Sequence, residues 1–355
     1  MANENFNVAT LPDYVENHRD MILKNFALVG TATRRRITIQ TGVKKSAYLN
    51  YLEIVPELQS GGTCGFNSAG DVTLSQRTIN VATIKTDLEI CKKKLLGKWA
   101  EYLVRVAATG DSSLPFEQFI MDGLVDELNK KIEKLIWMGD TTATTNTDLK
   151  WIDGFIKQFQ GDASVIDVSI ASGTSAYNGI LSVYMALPEE VLNRGGEIFV
   201  SPAIYRIFLQ DMVGLNFFHY AGPQNAAPEE FILPGTDVKV VKTPGLSGSL
   251  YIVGTFAKNL VYGTDMENDE EVILMEYQKM AEVHQLKVEW NSGVSYFFPD
   301  MVVLGAFAAA PASTIGNNNA ALASIAANTA DLAGIKTAAE ALADADKVFK
   351  TKEQA

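Results

Sequence analysis

The chain is 355 residues long, 47% hydrophobic and 20% charged, and 30 basic against 42 acidic side chains leave it a formal charge of −12. This is the profile of a globular protein with ample core material and a length suited to about two domains. Its sign argues against a chain that grips nucleic acid over its whole surface.

The start, MANENFNVATLPDYVENHRD, lacks a basic stretch followed by an apolar run, so no signal peptide is expected. Leu11 to Leu28 offers a partial apolar stripe (Tyr14, Met21, Ile22, Phe26, Leu28) that suits a helix. The chain then turns basic and strand-like at RRRITIQTGV. Arg34, Arg35 and Arg36 are consecutive and Lys44 and Lys45 follow, which reads either as a solvated loop or as a phosphate or subunit contact. Residues 57–74, ELQSGGTCGFNSAGDVTL, are dense in Gly, Ser, Thr and Asn and bring almost nothing apolar to a core. Between AYLNYLEIV and RTINVATIKTDLEI this looks like a long excursion from the body, of the kind that is functional or disordered. Its Cys64, with Cys91, makes two cysteines, too few for a disulfide scaffold and consistent with a reducing cytoplasm.

One long helix is expected at about 115–138. Ser113 can cap it and Pro115 suits its first turn. Phe116, Ile120, Leu124, Leu128, Ile132 and Ile136 recur every four residues, widened by Phe119 and Leu135, and such a stripe means packing. Lys130, Lys131 and Lys134 are placed to favour the helix dipole, and Gly139 to end the helix in a left-handed cap. At 1.5 Å per residue the helix would run roughly 36 Å.

An α/β block follows. SAYNGILSVYMAL, PEEVLNRG and AIYRIFLQDMV read as helices, GEIFVSP and TDVKVVKTPG as strands, the last ending in a Pro-Gly turn. From 249 to 305 the pattern is mostly β: SLYIVGTF, NLVYGTD, EEVILMEY, HQLKVEW and FFPDMVVLG. Leu286, Val288 and Trp290 alternate with Lys287 and Glu289, giving one dry and one wet face. The Ala-rich stretch 311–355 is either a thin amphipathic helix or a tail that orders on a partner. The longest apolar run, MVVLGAFAAAPA, is too short and too Ala-rich to cross a bilayer.

Motifs of chemistry are missing. There is no G-x-x-x-x-G-K-[ST] loop and no G-x-G-x-x-G between strand and helix. His18, His219 and His284 are scattered and form no zinc spacing. Ser247 in GLSGS lacks a nucleophile elbow, and Cys64 has no imidazole partner in view. The acidic run Asp265 to Glu271 lacks the ligand alternation of a calcium loop and reads as a solvated turn between strands. No catalytic, cofactor or metal set is expected, and the chain is not expected to be an enzyme.

The order of parts carries a resemblance over about 30–310. A basic arm precedes a Gly-rich excursion; RTINVATIKTDLEICKKKLL then runs toward a long helix ending in KLIWMGD; DGFI at 153–156, an α/β block and GTFAKNLVYGTDMENDEEVILMEYQKMAEVHQLKVEW follow. This resembles the major capsid proteins of tailed bacteriophages, an α+β, Hong Kong 97-like fold.

The resemblance implies an N-terminal arm at 1–39, an extended loop or β-hairpin at 40–85, and a peripheral domain at 86–149 holding the spine helix. It further implies an axial domain at 150–253, peripheral return strands at 254–297 and a final axial strand at 298–310, with no family meaning for the 311–355 tail. Assembly contacts are expected from Arg34, Arg35, Arg36, Lys44, Lys45, Gly61, Gly62 and Phe66. The implied function is a shell of hexamers and pentamers enclosing phage DNA held without sequence specificity, built in the host cytoplasm and ending in the virion. A portal and a separate scaffold are the other implied partners, since no long scaffolding segment precedes the arm. A compartment of the encapsulin type and a soluble α/β enzyme with an unrecognised site are the alternatives.

Overall fold

A computed structural model describes residues 32–59, 70–91, 116–145, 148–215, 230–265, 272–278 and 283–311. The expected helix at 11–28, the caps Ser113 and Pro115, Cys64, and the tail beyond 311 lie outside these residues, as do Gly61, Gly62 and Phe66.

Three sheets organise the described chain. The first strands are β1 (Thr38–Gln40), β2 (Ser46–Pro56), β3 (Gly70–Asn80) and β4 (Ala82–Cys91). Next come helices α1 (Phe116–Met138) and α2 (Phe155–Gly161), strand β5 (Ile166–Ile170), helices α3 (Ala176–Ala186) and α4 (Glu189–Asn193), strand β6 (Glu197–Val200) and helix α5 (Pro202–Gly214). The rest is β7 (Glu230–Ile232), β8 (Lys239–Lys242), β9 (Tyr251–Thr255), β10 (Leu260–Gly263), β11 (Val272–Gln278), β12 (Val283–Tyr296) and β13 (Val303–Phe307).

A six-stranded sheet has the order β5-β13-β9-β6-β8-β7. Its inner strands β6, β9 and β13 are short and buried on both sides, as a sheet covered on both faces requires. Ile198, Val200, Ile252 and Val303 face one core with α3 and α5, whereas the intervening Phe199, Val253 and Leu304 face another. That period of two is the ordinary alternation of a strand. A five-stranded sheet is built on the 14-residue β12, which pairs with β4, β10 and β11, while β1 runs parallel to β10. On β12 the dry face of His284, Leu286, Val288 and Trp290 is buried, and Lys287 and Glu289 lie on the other. The third sheet is the β2–β3 hairpin alone, paired in register from Ser46↔Asn80 to Pro56↔Gly70.

The C-terminal half of α1 joins the two larger sheets. Leu128, Ile132, Leu135, Ile136 and Trp137 enter one core with Phe199 and Val253 of the six-stranded sheet and Ile84, Leu286 and Trp290 of the five-stranded sheet. Leu124 packs partly buried at its margin. Phe116 and Ile120 belong to the helix, but their side chains lie outside the described set. The Trp137 ring lies 5.3 Å from both Phe155 and Phe199.

Four sequence expectations change. Gly139 does not adopt a left-handed conformation. It is needed instead for close approach: a Cβ there would overlap the Ile152 carbonyl, and Gly154 donates its N–H to the Gly139 carbonyl at 2.9 Å. The lysines of α1 do not serve the dipole, since the last turn holds no basic residue; Lys130 pairs with Glu127 at 2.7 Å and Lys131 with Asp148 at 3.1 Å. The Gly-rich excursion is shorter than its composition suggests, because Gly70 to Leu74 belongs to β3, drawn into a strand by the ladder to β2. Asp265, read as part of a solvated turn, is buried at the end of β10.

The helix reaches its place because the turn at Pro244–Leu246 offers a glycine to it. A Cβ on Gly245 would overlap the Glu133 carbonyl and the Trp137 ring, whereas one on Gly123 would meet open space. Gly245→Ala is therefore expected to destabilise the subunit by about 2–3 kcal/mol. Gly123→Ala should be neutral or stabilising by up to ~1 kcal/mol. Urea unfolding of both variants side by side checks the pair.

Candidate assembly surface

The hairpin alternates two faces. At its base one face turns inward: Leu49 and Ile79 bury with Val43 and Val261 in a small core of their own. Tyr51, on the same face, meets Phe298 edge-on at 5.2 Å between centroids. The opposite face carries Leu52 across from Leu74 and Ile54 across from Val72. These four are 53%, 71%, 57% and 63% exposed, with Tyr48 nearer the base at 64%. Cross-strand apolar pairs of this kind normally stabilise a sheet by being covered. Here the chain leaves them open to solvent, and a contiguous apolar patch on a projecting element marks an interaction surface.

Arg77 holds the hairpin base to the body. Its Nη2 donates to Asp162 Oδ2 at 2.6 Å, and its guanidinium lies 4.0 Å above the Tyr296 ring. The Tyr296 hydroxyl donates to the same Asp162 oxygen at 2.8 Å, and the Ser164 N–H donates to Asp162 Oδ1 at 3.1 Å. Burial works against ionisation of Asp162, but the bonds from Arg77, Ser164 and Tyr296 outweigh it and hold the carboxyl below its ordinary value. The Tyr296 phenol is pushed up, by burial first and then by its bond to Asp162, so it keeps its proton as a donor.

The basic run expected to make assembly contacts is divided. Arg34 is 1% exposed; its Nη2 donates to Asn129 Oδ1 at 2.7 Å and its guanidinium faces the Tyr262 ring at 5.7 Å. Arg36 pairs with Glu197 at 3.2 Å and more closely with Glu230. Both are thus used inside the subunit, because residues 33–37 thread between α1 and the edge of the six-stranded sheet. Thr33 completes that staple: its hydroxyl donates to Glu133 and accepts from Trp137 Nε1 at 2.8 Å. Arg35, Lys44 and Lys45 are on the surface.

Sequence reading missed the roles of Arg77, Asp162 and Tyr296. Arg77 sat in a strand-like run with no charge partner nearby, and 85 residues separate it from Asp162. The one available signal was an arginine amid β-branched and polar residues. Among the described residues, no three of His, Cys, Asp and Glu stand close enough to share a metal ion.

Neither a protein-family model nor a curated protein matches the sequence. Solved structures do. A chain of the satellite phage P4 procapsid aligns with a TM-score of 0.53 at 12% identity, covering 82% of this chain and 98% of that one. A chain from the capsid of an empty GTA particle aligns at 0.50 with 13% identity, covering 79% and 90%.

Arg34→Ala should lower subunit stability by about 3 kcal/mol, because it strips a buried polar cluster of its cation; thermal melting of unassembled protein checks this, and an unchanged melt would return Arg34 to the surface. For Arg36→Met the size of the effect depends on pH. Burial raises the Glu197 carboxyl above its ordinary value although Arg36 and Lys239 oppose it, while at Glu230 those same cations overcome burial and lower it. Glu230 thus contributes stability above the carboxylate range that is lost as pH falls through its folded value, whereas ionised Glu197 becomes a burden as pH rises through its own. Removing Arg36 raises both carboxyls. The deficit of the variant should be largest near pH 7 and shrink toward pH 4, as denaturation across that range would record.

At 12–13% identity the likeness is one of architecture: this chain shares the fold of those procapsid and capsid chains.

Proposed function

We propose that the protein is the major shell subunit of a tailed-phage-type head, assembling through hexamers and pentamers around double-stranded DNA. One observation carries the reading: Leu52, Ile54, Val72 and Leu74 form an apolar face that the subunit's own body leaves uncovered, on a fold shared with capsid chains. A second copy of the chain is the partner that supplies the missing cover. The Hong Kong 97-like layout gives each part a place. The hairpin within 40–85 lies across a neighbour, α1 is the spine of a peripheral domain, and the six-stranded sheet is the axial domain that meets its copies around the symmetry axes. The net charge of −12 suits a wall that encloses DNA without adhering to it. In this reading the chain catalyses nothing, is assembled in a bacterial cytoplasm with a scaffold and a portal, and ends in the virion.

Expression with the neighbouring phage genes, followed by negative-stain imaging and nuclease treatment, tests this. Closed shells of megadalton mass with nuclease-protected DNA are expected. A small closed oligomer would favour a soluble enzyme, and shells holding protein cargo in place of DNA a cellular compartment. The hairpin's part is tested by Leu52→Thr with Leu74→Thr, which keeps strand propensity and removes the apolar surface. The subunit's melting should stay unchanged, while shell yield falls by at least about tenfold, since each buried leucine contributes ~2 kcal/mol to the contact. Wild-type yields would refute the docking of this face.

A further inference from the structure

Three consecutive aromatic residues, Tyr296 at the end of β12 and Phe297 and Phe298 just beyond it, each meet the hairpin base differently. Tyr296 lies beneath the Arg77 guanidinium. Phe297 packs against the small core of Val43, Leu49, Ile79 and Val261. Phe298 meets Tyr51. Buried Asn259 fixes the backbone of this platform. Its carbonyl accepts from the Phe297 N–H at 3.1 Å, its Oδ1 accepts from the Phe298 N–H at 2.8 Å, and its Nδ2 donates to the Phe298 carbonyl at 2.9 Å. The platform is hydrogen-bonded into the body, and the hairpin stands on it.

Among the described residues, the contacts that hold the hairpin to the body through Leu49, Ile79, Tyr51 and Arg77 lie at its base, at or below the Tyr51–Ser75 pair. From the Leu49–Arg77 pair to the last pair, Pro56–Gly70, the strands reach roughly 24 Å, so a rotation of about ten degrees at Arg77 moves that end by roughly 4 Å. A shift of that size would take an apolar side chain out of any pocket built for it. The aliphatic core resists such rotation weakly, because hydrophobic burial is non-directional, and the edge-on Tyr51–Phe298 pair adds a single neutral oriented contact. The triangle of Arg77, Asp162 and Tyr296 is directional: a charge-assisted bond, a ring face and a hydroxyl bond converge on one carboxylate oxygen and one guanidinium.

The geometry points to Arg77 as a positioning residue that sets the angle at which the hairpin leaves the body. It acts through Tyr296 and Asp162 and need touch no neighbouring copy. The assignment rests on the subunit alone, so it stands or falls separately from the shell reading.

Spin labels at Leu58→Cys and Asp167→Cys, in a full-length Cys64→Ser, Cys91→Ser background diluted with unlabelled chain, report the tip-to-body distance. The parent should give one narrow distance. Arg77→Ala should move about tenfold more of the population away from it. Strands β5 to β9 should keep their hydrogen-exchange protection. Arg77→Lys, which keeps the charge, should recover part of the narrow peak. Asp162→Asn removes the ion pair with little change of shape and should broaden the distribution too, providing a second route should the alanine variant fold poorly. A narrow, parent-like distance in either Arg77→Ala or Asp162→Asn would overturn the assignment. Arg77-dependent distances in a protein that forms no shell with its phage genes would refute the shell reading alone.

Discussion

The Trp137 indole is the contact on which the rest of the subunit depends. It sits where α1, α2 and the six-stranded sheet converge, against Phe155 and Phe199, with its Nε1 satisfied by the Thr33 hydroxyl. A buried indole N–H without a partner would cost about 1–3 kcal/mol, so the polar bond is what allows so large a ring to lie at the centre. The approach also requires Gly245 beneath the helix and the Gly139–Gly154 contact at its end, where backbone meets backbone with no side chain between. Small residues at those points let the two sheets share one core through the helix.

The arm segment 33–37 adds a polar counterpart to that apolar joint. Thr33 reaches Glu133 and Trp137, Arg34 reaches Asn129, and Arg36 spans Glu197 and Glu230. Five residues thereby tie α1 to the far sheet with charged groups taken out of water. Such groups are costly to bury and destabilise strongly when one partner is lost, so the segment is fixed in one register.

Much of this was legible in the sequence, for identifiable reasons. The four-residue spacing of Leu124, Leu128, Ile132 and Ile136 gave the helix, and the alternation of Leu286, Val288 and Trp290 gave the dry face of β12. Both are periodic signals that a local environment imposes on neighbours in sequence. What stayed hidden was set by distant partners. Arg34 and Arg36 read as surface charge because their counterparts lie 95 to 194 residues away. Gly139 read as a cap because its true reason, the carbonyl of Ile152, arrives from another turn of the chain. Residues 70–74 read as loop because composition cannot register a ladder formed with β2.

The uncovered hairpin face has a cost before any partner arrives. Paired aliphatic residues on an isolated two-stranded ribbon are sticky toward any other ribbon, and random encounters between ribbons lead to amorphous aggregates. The free subunit is therefore expected to lose solubility as its concentration rises. The excess of carboxylates helps by keeping stray copies apart through colloidal repulsion.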